Sequence, residues 1–75
     1  MLYRSIDVFV EGEKKCQIQD VDVPQTGQEL LIPGIGPQDN YVVEEVKRKY
    51  RPLKEHDKKT YFVPDNHQIH VKPVD

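Results

Sequence analysis

The densest run of side chains able to do chemistry is Lys47, Arg48, Lys49, Tyr50 and Arg51, resumed by Lys54, Lys58, Lys59 and Tyr61. Cations interleaved with aromatic rings are what single-stranded nucleic acid requires. The cations track phosphates and the ring faces stack bases. Against that use, Glu55 and Asp57 interrupt the run, the chain has no Trp, and its isoelectric point is 5.9, where a nucleic-acid domain usually lies above about 9. A solvated, charged hairpin explains the same residues without a ligand.

The histidines are the next candidates. His67 and His70 lie near Asp65 and His56, but a metal site needs three or four donors converging on one point. Three residues apart in a strand, His67 and His70 point to opposite faces. They read as exposed residues of an edge strand, and no metal or cofactor is expected. Ser5 and Thr60 have no His and Asp at nucleophile-activating spacing. The acid pairs Asp20–Asp22 and Glu44–Glu45 read as solvated. The sequence around Gly34 and Gly36 lacks the trailing Gly, Lys or Ser/Thr of a phosphate loop. The chain is therefore not expected to be an enzyme.

Composition bounds what can position these groups. Seventy-five residues make one domain, 1–75, and a chain of this size buries only about 60–65% of its unfolded surface. The single cysteine, Cys16, excludes an internal disulfide. It reads as a small half-buried hydrophobe in a reducing, cytoplasmic setting. The chain is 36% hydrophobic and 32% charged, but its apolar residues cluster in runs, which argues against disorder. No run approaches a membrane span, and Asp7 interrupts any signal-peptide pattern at the N-terminus. Residues 1–46 carry three basic and nine acidic side chains, residues 47–75 eight basic and four acidic, so the net −2 divides into −6 and +4.

Periodicity supplies the elements. Leu2, Ile6, Val8 and Val10 alternate with polar residues, Phe9 falling on the outer face. Glu11 and Gly12 supply a turn, and Cys16 and Ile18 continue the inner row, giving a hairpin of residues 2–11 and 15–23. Val21 and Val23 then change phase, which a bulge near Gln19 and Asp20 would correct. A turn at 24–28, a short strand at 30–32 and a loop at 33–40 with two prolines and two glycines follow. Residues 41–50 fit either a helix, with Glu44–Arg48 and Glu45–Lys49 pairs, or a strand. Their Tyr and Val content favours the strand. Residues 51–59 read as a loop, and strands at 60–63 and 67–71 complete the chain, with Pro73 at an edge or strand end.

Five to six short antiparallel strands broken by Gly and Pro turns specify an all-β fold, a small SH3-like barrel. The stretch Val23-Pro24-Gln25-Thr26-Gly27-Gln28-Glu29-Leu30, followed by Tyr41-Val42-Val43-Glu44-Glu45-Val46, resembles small bacterial barrel-like domains of unknown function. In these, VPxxGxxL leads through a Gly-rich loop to YxVxxV. The resemblance spans about a third of the chain. It implies the same SH3-like barrel and no activity, because the shared residues build folds. Such barrels bind peptides in aromatic-lined grooves. Tyr3, Phe9, Tyr41, Tyr50, Tyr61 and Phe62 are available, with the 33–40 loop as one wall. An acidic front and a basic back also suit self-association. The expected function is a protein-interaction module, binding a partner protein or itself. The alternative is single-stranded RNA or DNA binding through the basic 47–59 segment, and no membrane contact is expected. The candidate surface is Lys47, Arg48, Lys49, Tyr50, Arg51, Lys58, Lys59 and Tyr61.

Overall fold

A computed structural model describes residues 3–53 and 59–74. Lys54, His56 and Lys58 lie outside the described residues, as does Leu2. The chain is all-β: β1 (Arg4–Val10), β2 (Glu13–Asp20), β3 (Glu29–Leu31), β4 (Asn40–Lys47), β5 (Tyr50–Pro52), β6 (Phe62–Pro64) and β7 (His67–Pro73). Five strands form one curled sheet in the order β2-β1-β7-β4-β3, and β5 and β6 form a separate two-stranded sheet.

Two features differ from the expected antiparallel arrangement of five to six strands. The described residues form seven strands, and β1 pairs with β7 in parallel, Ile6 opposite His67 and Val8 opposite Ile69. The parallel pair closes the N- and C-terminal segments onto each other and makes β7 the central strand. His67 and His70 are therefore not on an edge. His67 lies on the core face at 1% exposure, and His70 stacks on Phe9 on the other face, ring centroids 5.0 Å apart.

The inner face carries Ile6 and Val8 from β1, Tyr41 and Val43 from β4, and Ile69 and Val71 from β7, all buried, with Val23 added from the connection after β2. Cys16, Ile18, Leu30, Ile32 and Val46 pack around them. Cys16 is half-buried, and that desolvation pushes its thiol pKa up, so it is a packing residue and a poor nucleophile.

The hairpin β1–β2 turns on Glu11 and Gly12, both at positive φ (52° and 78°), the requirement of a type I′ turn. A bulge does occur in β2, but not at Gln19 and Asp20. Val8 faces Cys16 and Phe9 faces Lys14, so Lys15 is the extra residue. The phase change at Val21 and Val23 is instead the end of the strand. Beyond Asp20 no ladder dictates alternation, and Val23 turns inward freely. A second bulge in β4 skips Glu44, which reaches across to Lys72 at 3.7 Å rather than along a helix to Arg48. Both bulges add local twist, and the sheet curls as a half-barrel.

The 33–40 loop is closed by the Ile32 amide donating to the Asp39 carbonyl at 2.8 Å, and it lays Ile35 against the core. Gly36 sits over Tyr41, where a Cβ would lie 2.7 Å from the phenol oxygen. The loop is a cover for the core.

Candidate interaction site

The strand expected over residues 41–50 is two strands. β4 ends at Lys47, and β5 begins at Tyr50 in a different sheet. The partner strand breaks at the same level, between β6 and β7. β4 with β7 and β5 with β6 are thus two stages of one long hairpin. The Asp65 amide donates to the Lys49 carbonyl at 2.9 Å across the break, and the Leu53 amide donates to the Tyr61 carbonyl beyond β5 and β6. Among the described residues the outer stage pairs with no strand of the main sheet, and it forms an arm. The molecule measures 52 × 27 × 19 Å, with a radius of gyration of 14.6 Å, against about 11 Å for a compact chain of this length.

Strand alternation sorts the arm into two faces. Tyr50 faces Pro64 and Pro52 faces Phe62, so these four residues make one wholly apolar face. Tyr50 is 56% exposed and Phe62 63%. Arg51 and Val63 lie on the opposite face, which alternation extends to Lys49, Leu53 and Tyr61. Lys47, Arg48 and Lys59 are also exposed. Of the expected surface, then, Tyr50 is separated from Arg51 and Tyr61 by the plane of the arm, and Lys58 lies outside the described residues. The sequence reading missed Phe62, Pro52 and Pro64 as parts of one strip. The signal was present as an aromatic-x-Pro spacing repeated in Tyr50-Arg51-Pro52 and Phe62-Val63-Pro64.

His67 stands at the joint between sheet and arm. Its Nδ1 accepts the Lys49 amide at 3.0 Å, so the neutral ring carries its proton on Nε2, which is buried without a partner among the described residues. Tyr50 meets the ring edge-on at 6.0 Å. Burial pushes the His67 pKa down, and the positive charges of Arg48 and then Arg4 push it the same way. Asp65 opposes them more weakly.

Beside the joint is a cleft of about 360 Å³. Its lining includes Arg4 and Ser5 from the start of β1, Arg51 from β5, and Asp65, Asn66 and His67 from the turn into β7. It exists because the parallel β1–β7 pair brings the start of β1 alongside the turn before β7. Neither Arg4 nor His67 was singled out with the basic run, since 62 positions separate them in sequence and only the parallel pairing joins them.

Among the described residues no group of three His, Cys, Asp or Glu side chains is placed to hold a metal, and no helix is long and apolar enough to cross a membrane. The chain matches no protein-family model, no curated protein and no solved structure.

Proposed function

We propose that the protein is a non-enzymatic interaction module whose arm docks on an acidic protein surface, in the first instance the body of a second copy. The observation that carries this reading is the exposed strip of Tyr50, Pro52, Phe62 and Pro64. Aromatic side chains at such exposure lose little entropy on docking and bring large apolar areas out of water. The arm that carries the strip is basic, through Arg48, Lys49 and Arg51, the last two on its other face, while residues 1–46 hold a formal −6. Arm on body, exchanged reciprocally by two copies, closes as a two-fold dimer and satisfies that charge division. A single unpaired thiol goes with a reducing, cytoplasmic setting.

Sedimentation over a concentration series tests the reading. Concentration-dependent dimerisation is expected, weakened by salt and by Phe62→Ser or Tyr50→Ser. A monomer at all concentrations, or a dimer indifferent to both substitutions, overturns it.

A second reading is nucleic-acid binding by the opposite face, where Lys49 and Arg51 neighbour Tyr61 on a two-stranded ribbon. Cations beside an exposed aromatic ring suit a single strand, whose phosphates they track and whose bases the ring stacks. Adding short RNA and DNA to labelled protein should then shift amides of residues 47–61 at low salt and lose the effect as salt rises. An unchanged spectrum at low salt removes this reading.

A further inference from the structure

We propose that the cleft at the base of the arm binds a phosphate oxyanion, held by Arg4 and Arg51 with Ser5, Asn66 and His67 as neutral donors. Three independent observations converge on it. The cleft has room for a phosphate group and a substituent, at about 360 Å³. Its charged wall residues are two arginines and one aspartate, and arginine's planar fork matches oxyanion geometry with paired hydrogen bonds. Finally, His67 belongs to its wall while its Nε2–H, buried in a side chain 1% exposed, has no acceptor among the described residues. A buried donor left unpaired costs about 1–3 kcal/mol, and an anion entering beside it supplies the missing acceptor.

The field supports the same sign of ligand. Arg48 and Arg4 outweigh Asp65 at the His67 ring, so an anion there relieves repulsion among cations. Asp65 is the one acidic wall residue. Its carboxylate already accepts the Asn66 amide at 2.8 Å, which fixes it to the turn. The bound phosphate must sit towards Arg4 and Arg51, away from this group.

The test is an NMR titration with three probes: inorganic phosphate, phosphoserine and dimethyl phosphate. Shifts at Ser5, Asn66 and His67 at millimolar concentration are expected. The His67 titration should move upward when the anion is bound, because a neighbouring negative charge favours imidazolium. Arg4→Gln or Arg51→Gln should each weaken binding about tenfold. Asp65→Asn should tighten it, and Lys14→Gln, remote in β2, should leave it unchanged. Preference for phosphoserine or inorganic phosphate identifies a monoester or free anion; equal binding of dimethyl phosphate identifies a diester backbone as the source. No shift with any probe, or shifts that survive both arginine substitutions in folded protein, overturns the proposal. The arm-docking reading fails separately, since Phe62→Ser removes the apolar strip without touching the cleft wall.

Discussion

The main sheet and the arm are built from the same residue types with opposite outcomes. In the sheet, Ile6, Val8, Tyr41, Val43, Ile69 and Val71 are at most 2% exposed. In the arm and its extension, Tyr50, Leu53, Tyr61 and Phe62 are 44–63% exposed. Aromatic content does not decide which side chains are buried; cover does. The curled sheet folds its inner face around a shared core and closes the end with the 33–40 loop. A ribbon of two strands has two faces, and among the described residues nothing lies over the Tyr50 and Phe62 face, so the ribbon is held by backbone bonds and its junction with the sheet. Apolar side chains that contribute so little to folding are available for contact with another molecule.

The sharpest way to break this contrast is a pair of truncations. Ile69→Ala, at the centre of β7, should cost about 2–5 kcal/mol through lost burial and a cavity, enough to unfold much of a domain this small. Phe62→Ala should change stability by no more than about 0.5 kcal/mol, while weakening the dimer. Urea unfolding of both variants gives the comparison, and a similar cost at the two sites would mean that the arm is packed after all.

Gly36→Ala probes the cover on the core. The new methyl group must displace the Tyr41 hydroxyl, which it would meet at 2.7 Å, and Tyr41 is 1% exposed with little room to move. The expected loss is about 1–3 kcal/mol, measurable by the same unfolding series. A neutral result would show that loop and phenol part easily, and that the loop is not a fixed lid.

His67 couples the two regions and makes that coupling pH-dependent. Its folded pKa is lowered, so below the ordinary value near 6.5 the unfolded chain binds the proton more readily. Stability is fully present above that value and falls as pH drops towards the folded pKa. Protonation of Nδ1 also removes the acceptor of the Lys49 amide. Hydrogen exchange at Lys49, corrected for its intrinsic pH dependence, should lose protection on acidification through this window. In His67→Gln that pH step should disappear; a step of unchanged size would assign it to another group.

How far the sequence revealed these elements follows from the range of the interactions concerned. The β1–β2 hairpin was legible because alternation and the Glu11-Gly12 turn are local. The strand character of residues 41–47 was legible from Tyr and Val, against an equally good helical pattern. The parallel β1–β7 pair was not, because nothing near Ile6 or His67 encodes a partner across the whole chain. Without that pair, His67 looks like an edge residue, and the cleft it shares with Arg4 cannot be drawn. The basic run was visible as composition, but its division between two faces waited on the Tyr50–Pro64 register.

The smallest effect expected is at the turn that the sequence did reveal. Glu11 holds φ at 52° without the freedom of glycine, and this region disfavours most side chains but admits Asn. Glu11→Asn should therefore stabilise the body by about 0.5–1 kcal/mol, chiefly by relieving backbone strain in the type I′ turn. Because the turn lies at the end of the β1–β2 hairpin away from the β1–β7 start, the gain should leave dimerisation and Lys49 exchange at neutral pH under native conditions unaltered. A matching change at the arm would show that turn, sheet and arm unfold as one unit, and that the difference between them is of exposure alone.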